Sequence, residues 1–106
     1  MPRCGRGRMR CKRWITEFPF VRNFRPVELE QNKVETIILR IEELEALRLV
    51  DAENLNQEEA ATHMGVSRRT LWSDLSSARK KVATALLKGH AIRIECGAHT
   101  IIKEEI

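Results

Sequence analysis

Residues 56–72 constrain the fold of this chain more than any other segment, because they carry the signals for two helices joined by a tight turn. Asn56 is a good helix cap, and Glu59 three residues later completes the pattern of a reciprocal capping box. Gly65 can adopt the left-handed conformation that ends a helix without steric cost, and Ser67 is a good cap for the next helix. The segment therefore predicts a helix, a glycine turn and a second helix.

The apolar positions around this turn predict how the two helices pack. Ala60 and Ala61 lie on the inward face of the first helix, where small side chains permit a close crossing, and Val66 fills the corner. The helical period then continues through Leu71, Leu75, Ala78, Val82 and Leu86. We therefore expect the second helix to cover residues 67–88 and to end at Gly89.

Four further segments have regular patterns. Residues 34–41 are rich in β-branched side chains and residues 91–95 alternate apolar and charged ones, so both predict strands. The isoleucine-rich segment 100–106 is a candidate for another strand, and residues 42–52 have the spacing of an amphipathic helix. The predicted fold is mainly α: a three-helix domain containing a helix-turn-helix, with short flanking β-strands that pair within the chain or across a dimer. Its helices are expected at 42–52, 56–64 and 67–88.

Trp14, Phe18, Phe20 and Phe24 hold most of the aromatic content of the chain. Pro19, between the first two phenylalanines, favours an edge strand or an extended packing segment over a central strand. We expect these aromatic side chains to cover the core of the helical part.

The chain divides into three parts. Residues 1–13 are basic and lack an apolar period, so we expect a flexible arm that becomes ordered only on a partner. Residues 14–96 are expected to form the helix-turn-helix domain with its strands, and residues 97–106 a C-terminal tail. No apolar run is long enough to span a bilayer, and no apolar signal-peptide core follows the arm. The expected location is the cytoplasm, without a membrane partner.

Charge is segregated along the chain. Residues 1–25 contain eight Lys or Arg and one acid, a local charge of +7, and residues 26–66 contain ten acids and three bases, −7. Residues 67–93 contain seven bases and one acid, +6. This last block begins at the second helix of the motif. Because Lys and Arg near phosphates release counterions and raise affinity, the pattern favours a polyanion-binding surface over an ordinary solvated face.

In a helix-turn-helix protein the first residues of the second helix face the major groove of DNA. Arginine there can pair with guanine or contact phosphate. The candidate base-facing residues are Ser67, Arg68, Arg69, Trp72 and Ser73. Gln57 and Thr62 of the first helix are expected to touch the DNA backbone, and Arg79 and Lys80 are expected to contact phosphates.

Asp74 is the one acid of this basic block. It falls late in the motif, where its carboxylate is expected close to the DNA side. Its helical neighbours, Thr70, Leu71, Ser77 and Ala78, include no basic side chain to neutralise it. The competing interpretation of the whole motif is an ordinary helical hairpin with a basic exposed face.

Several segments together resemble a family of small prokaryotic proteins of unknown function. They are EELEALRL at 42–49, NQEEAA at 56–61, MGVSR at 64–68, SARKKVA at 77–83 and AIRI at 91–94. The family is predicted to bind DNA through a helix-turn-helix similar to region 4 of sigma factors, so the resemblance, which spans residues 14–96, implies a transcriptional regulator and no enzymatic activity. Trp72, Ser73 and Asp74, inside the second helix, depart from the family pattern.

The cysteines offer a candidate metal site. An odd number of cysteines without a secretory signal argues against a disulfide framework. Cys4, Cys11, Cys96 and His99 could supply three sulfurs and one imidazole to a structural zinc ion; otherwise the cysteines are free thiols and no cofactor is expected. No nucleophile, general base or phosphate-binding glycine loop is arranged for catalysis, so we do not expect an enzyme.

We therefore expect a sequence-specific binder of double-stranded DNA that regulates transcription through a reading helix at 67–88. A homodimer or higher homo-oligomer is expected, because two half-sites one DNA turn apart add to the limited affinity of one motif. Two alternatives stay open. One is a protein-interaction module whose acidic face at 42–59 docks on RNA polymerase or another part of the transcription machinery. The other is a metal-responsive regulator in which the Cys/His cluster biases DNA binding.

Overall fold

The computed structural model of the chain describes residues 13–96 and 100–102. The α-helices of this part are α1 (Ile41–Leu47), α2 (Gln57–Met64) and α3 (Arg68–Lys88). Its strands are β1 (Arg13–Ile15), β2 (Asn23–Phe24), β3 (Thr36–Arg40), β4 (Ala91–Glu95) and β5 (Thr100–Ile102). The prediction of a mainly helical fold with short strands is confirmed. None of the described helices is long and apolar enough to cross a membrane.

The turn between α2 and α3 forms through the capping residues that the sequence indicates. Asn56 accepts a hydrogen bond from the Glu59 N–H at 2.8 Å, and the Glu59 carboxylate accepts one from the Asn56 N–H at 3.1 Å. Gly65 ends α2 in the left-handed conformation, with φ of 67°. The hydroxyl of Ser67 accepts from the Thr70 N–H at 3.1 Å and so caps α3. The predicted helices at 56–64 and 67–88 are confirmed.

α1 is followed directly by a wider helical turn. The helix begins at Ile41, and from Arg48 to Ala52 the chain forms a π-helical turn. There the Glu53 N–H donates to the Arg48 carbonyl, five residues back, at 2.8 Å. Asn54, with φ of 62°, then reverses the chain in a conformation that asparagine tolerates better than most residues. The predicted helix at 42–52 therefore exists, with π-helical geometry in its second half.

β4 lies at the centre of a three-stranded sheet in the order β2–β4–β3. It runs parallel to β3, with Arg93 opposite Ile38, and antiparallel to β2. Because parallel neighbours need a crossover connection, the chain between β3 and β4 carries all three α-helices. The strands predicted at 34–41 and 91–95 thus pair within the chain. β5, inside the segment 100–106, pairs in parallel with β1.

Two apolar clusters form the core, and α3 contributes to both. The first, between the three helices, contains Ala46, Leu49, Ala60, Ala61, Met64, Val66, Leu71 and Leu75. The second, between the helices and the strands, contains Ile15, Leu39, Ile41, Ala78 and Ile94. One face of α3 is therefore fixed along most of its length, which leaves the opposite face for other contacts.

The three phenylalanines of the aromatic segment are exposed, contrary to the prediction that they cover the core, whereas Trp14 is half-buried. Phe18 is 43% exposed, Phe24 is 55% exposed and Phe20 is fully exposed. The aliphatic side chain of Ile15, which precedes them on β1, fills the buried position instead. The chain after β1 then runs over the surface, so these phenylalanines stay in contact with solvent.

Leu86 also departs from its predicted place. Its side chain is 78% exposed, whereas that of Ala85 is buried. A step of four residues turns an α-helix by about 40° beyond a full turn, and repeated steps of four carry Leu86 off the buried stripe. The predicted apolar positions therefore hold as far as Val82, and the next buried position is Ala85 instead of Leu86.

Candidate nucleic-acid interface

The packing of α3 against α2 determines which residues of its first turn are exposed. Leu71 is fully buried in the cluster that also contains Ala61 and Met64. Arg68 and Arg69, which precede Leu71 on the same helical turn, are exposed. The first turn of α3 therefore presents two guanidinium groups at the surface beside the turn that follows α2.

The predicted contact residues of α3 share one face of the helix. At 3.6 residues per turn, consecutive residues are about 100° apart, and the six lie within an arc of about 140°. They are Arg68, Arg69, Trp72, Ser73, Arg79 and Lys80, and all are exposed. The buried residues Leu71, Asp74, Ala78 and Ala85 occupy the opposite side of the helix, and Leu75, also buried, borders the arc next to Arg68. We call the exposed arc the basic face.

Ion pairing distinguishes the cations of the basic face. Arg68, Arg69 and Lys80 have no hydrogen-bond or ion-pair partner among the described residues. Arg79 instead donates to both carboxylate oxygens of Asp51, at 2.7 and 3.0 Å. These hydrogen bonds raise the pKa of Arg79 and lower that of Asp51. The pair uses two of the five guanidinium N–H donors of Arg79 and compensates its charge, so Asp51 weakens the attraction of Arg79 for a phosphate.

The remaining candidates lie on α2 and at the start of α3. The Ser67 hydroxyl donates to Thr70 Oγ1 at 3.1 Å, in addition to its role as helix cap. Thr62 is exposed, and its hydroxyl donates to the Glu58 carbonyl at 3.0 Å. Gln57 is the first residue of α2, at the positive end of that helix dipole. Ser67 thus serves the fold itself, while Gln57 and Thr62 are at positions that solvent reaches.

Asp74 is buried and does not lie on the basic face, so the prediction that its carboxylate lies on the side expected to meet DNA is wrong. Its side chain is almost fully buried, and its carboxylate accepts hydrogen bonds from Arg13 Nε at 3.0 Å and Nη2 at 3.1 Å. Arg13, on β1, is buried as well. Burial raises the pKa of Asp74, and the hydrogen bonds from Arg13 lower it only in part. Arg13 therefore compensates the charge of the Asp74 carboxylate inside the protein. The basic face contains no acid.

The pairing of Arg13 with Asp74 could not be predicted from helical spacing, because Arg13 belongs to the predicted arm at 1–13 and not to the helix that contains Asp74. The two residues are 61 positions apart in the chain. One signal could have indicated burial, since Asp74 falls on the apolar stripe of α3 between Leu71 and Ala78. Residues 1–12 of the predicted arm lie outside the described residues.

The acidic segment 42–59 is turned inward in its first half. Glu42, Glu43 and Glu45 are buried on α1. Glu45 accepts two hydrogen bonds from Arg48, both at 2.9 Å. The acidic docking face that the alternative function requires is therefore smaller than the sequence indicates.

Glu43 connects α1 to α3. Its carboxylate accepts hydrogen bonds from Lys81 Nζ at 2.8 Å, from the Ser77 hydroxyl and from the Arg40 N–H at 2.9 Å. Burial raises the pKa of Glu43, but these hydrogen bonds outweigh it and hold the pKa below its usual value. The ionised carboxylate of Glu43 thus binds α3 to α1 through Ser77 and Lys81. These contacts set the orientation of α3 and therefore of its basic face.

The zinc site predicted from the cysteines has one residue in the described part. Cys96 is exposed and its thiol is free. Cys4, Cys11 and His99 lie outside the described residues. In the described part of the chain, no three His, Cys, Asp or Glu side chains are grouped as metal ligands.

Comparison with known proteins identifies the family. The model of a family described as "protein of unknown function DUF134" matches residues 1–102. The chain belongs to the DUF134 family. A UPF0251 protein of Methanosarcina acetivorans is 50% identical over 97 residues, covering 92% of this chain and 86% of the relative. A UPF0251 protein of Pyrococcus furiosus is 48% identical over 106 residues, covering 99% and 98%. No solved structure matches the chain.

The DUF134 match confirms the resemblance to a family of prokaryotic proteins of unknown function. A UPF0251 protein of a Thermoanaerobacter species, 47% identical over 93 residues, covers 88% of this chain and has 82% of its own length covered. All three helices and the whole basic face lie inside the region that the DUF134 model matches. The candidate interface is therefore part of the domain that defines the family.

Proposed function

We propose that this DUF134 protein binds double-stranded DNA at specific sequences and regulates transcription, with the first turn of α3 in the major groove. One observation carries the proposal: Arg68 and Arg69 are exposed at the start of α3 and have no partner among the described residues. By contrast, Arg13, Arg48 and Arg79 each bind a carboxylate of this chain. Two unpaired guanidinium groups at the start of a helix suit recognition of an external anion and of guanine.

The shape of the basic face supports this mode of binding. The major groove is about 12 Å wide and admits an α-helix. Arg68 and Arg69 point about 100° apart around α3, so one guanidinium can pair with guanine O6 and N7 while the other contacts a phosphate at the groove wall. Trp72, one turn after Arg68, offers an apolar surface to a thymine methyl group. Ser73 offers a hydroxyl to a base or a phosphate.

Contacts to the DNA backbone orient the helix in the groove. Lys80, three turns along α3, is placed for a phosphate beyond the first turn. In this arrangement Gln57 and Thr62 of α2 contact the opposite strand through their side chains; the acids Glu58 and Glu59 in the first turn of α2 offset the positive end of its dipole. These contacts carry no sequence information, so specificity depends on the first turn of α3.

The link to transcription rests on the resemblance of α2 and α3 to the helix-turn-helix of sigma factor region 4. A protein that occupies DNA through this motif acts on the chromosome, in the cytoplasm. It controls access of the transcription machinery to the DNA that it covers, and this role requires no catalytic residue.

The experiment is a fluorescence-anisotropy titration of the full chain with DNA fragments selected by the protein from genomic DNA. We expect Arg68→Ala/Arg69→Ala to weaken binding by about 100-fold, since each base or phosphate contact by arginine contributes roughly 1–3 kcal/mol. The plot of log affinity against log salt concentration should also become less steep.

The matched control is Arg22→Ala/Arg93→Ala, which removes the same two charges from the strand side of the molecule. We expect this control to keep its affinity within a few-fold of the wild type. Equal losses for both double variants would show that only net charge matters, and an unchanged affinity and salt slope for Arg68→Ala/Arg69→Ala would overturn the proposal.

A further inference from the structure

We infer that two copies of this chain associate through the end of α3 that is farthest from its first turn. The surface consists of two tripeptides, Val27-Glu28-Leu29 and Leu86-Leu87-Lys88, which we call the end patch. In the inferred dimer, residues 27–29 of each copy pack against residues 86–88 of the other. This inference concerns self-association and does not depend on DNA binding.

The end patch exposes an unusual amount of apolar surface. Val27 is 97% exposed, Leu86 is 78% exposed and Leu87 is 85% exposed, and Leu29 is also exposed. Single exposed apolar residues are ordinary on protein surfaces. Several together on one part of a small domain mark an interaction site, because their contact with water is unfavourable.

The two tripeptides are neighbours in the folded chain. Gly89 ends α3 with φ of 72°. The Cδ1 atom of Leu29 lies 3.2 Å from the position that a Cβ atom at Gly89 would occupy. The loop at 27–29 therefore touches the residue that directly follows 86–88, which brings both segments to the same end of α3.

Charge complementarity favours a second copy of this chain as the occupant. Each tripeptide has two apolar residues and one charge, and the charges are opposite. Glu28 and Lys88 are exposed and have no ion-pair partner among the described residues. A twofold axis through the end patch places Glu28 of each copy beside Lys88 of the other, so that one self-complementary interface contains two Glu28–Lys88 pairs.

A cavity next to the end patch gives the apolar side chains a place to insert. It has a volume of about 430 Å³, and its walls combine Pro26, Val27, Leu29 and Val34 with the polar residues Asn23, Arg25 and Gln31. Leucine 86 or 87 of the second copy, projecting from the end of α3, can enter this cavity. The interface then combines projecting leucines with a recess on the same surface.

The position of the end patch keeps the basic face free. Leu86 follows Arg68 by 18 residues in α3, which corresponds to about 27 Å along the helix axis at 1.5 Å per residue. An interface at this end therefore leaves both first turns of α3 exposed. The dimer presents two separate copies of the first turn of α3.

The test is sedimentation equilibrium of the full chain, with Leu86→Asp as the disrupting variant. We expect the wild type to form a dimer and Leu86→Asp to weaken the association by about 100-fold or more, because a carboxylate replaces an apolar anchor. Leu86 is exposed, so this variant should fold, and circular dichroism verifies it. The matched control is Ser73→Asp, which adds the same charge to the same helix about 20 Å away and should remain dimeric.

Charge exchange tests which segments meet. Glu28→Lys and Lys88→Glu should each weaken their own homodimer by about tenfold, since each places two like-charged pairs in the interface. An equimolar mixture of the two variants should recover the wild-type affinity as a heterodimer, because both pairs again join opposite charges. Absence of this recovery would overturn the inferred arrangement.

The outcomes also separate this inference from the proposed function. The inference would be contradicted by a wild-type protein that is monomeric at about 100 µM, a concentration at which weak specific dimers form. It would also be contradicted by a dimer that Leu86→Asp leaves unchanged. Both results would count against the inference even if the protein binds DNA. A dimer that binds no DNA would contradict the proposed function and leave the end patch supported.

Discussion

The buried ion pair between Arg13 and Asp74 leads to the strongest prediction about stability. The Asp74 carboxylate accepts two hydrogen bonds from Arg13, at 3.0 and 3.1 Å, and the two side chains are 5% and 3% exposed. Asp74→Ala removes the acceptor and leaves a guanidinium, which cannot lose its proton, inside the protein. Breaking a buried pair in this way costs about 3–5 kcal/mol, so we expect the free energy of unfolding to fall by that amount.

A second pair in the same chain provides the comparison. Arg79 and Asp51 have similar two-bond geometry, but their side chains are 45% and 40% exposed. Because water screens an exposed pair and solvates either partner alone, Asp51→Ala should cost less than about 1 kcal/mol. The two variants therefore differ mainly in the burial of the pair that they break.

The assay is urea denaturation of the full chain, followed by circular dichroism. The double variant Arg13→Met/Asp74→Leu should recover part of the stability lost in Asp74→Ala, since both charges of the pair are then removed from the interior. If Asp74→Ala loses no more stability than Asp51→Ala, the reasoning that burial decides the cost is refuted.

Three further predictions concern other residues. Glu43→Gln should lower the free energy of unfolding by about 2 kcal/mol at neutral pH. Because the pKa of Glu43 is lowered in the folded state, the stability difference between wild type and variant should shrink as the pH falls below 4.5 and through the folded-state pKa. A constant difference across that range would contradict an ionised Glu43 in the folded protein. Asp51→Asn should raise DNA affinity a few-fold by releasing Arg79 for phosphate, whereas Glu58→Gln, with the same charge change, should have a smaller effect in the same anisotropy titration. Gly65→Ala should lower the free energy of unfolding in urea by about 1 kcal/mol, because φ of 67° is unfavourable for alanine; unchanged or higher stability would argue against the left-handed turn.

The part of the fold that could be predicted is the part with local signals. Asn56, Glu59, Gly65 and Ser67 act on groups within a few residues, so their pattern in the chain is enough to locate both helices of the motif. The strands at 34–41 and 91–95 followed from their composition in the same way. Their parallel pairing is a non-local property, and the sequence left open whether it occurs within the chain or across a dimer.

The part that could not be predicted depends on distant contacts. The acids of α1 have the sequence pattern of an exposed helix, but Glu43 points inward because Lys81 and Ser77 of α3 meet it there. The candidate site was affected in the same way. The sequence predicts Asp74 on the DNA side because its partner Arg13 is 61 residues away. It predicts a phosphate contact for Arg79 without the ion pair to Asp51, because Asp51 approaches from the distant π-helical turn.

The most direct test of DNA reading by the first turn of α3 is a dimethyl sulfate footprint on a fragment selected from genomic DNA. Dimethyl sulfate modifies guanine N7 in the major groove, the atom that an arginine there covers. We predict that the wild type protects one or more guanines, and that Arg68→Ala or Arg69→Ala, at concentrations that restore occupancy, loses protection at a specific guanine. Bound DNA in which every guanine N7 remains reactive, or protection that both variants leave unchanged, would contradict the account.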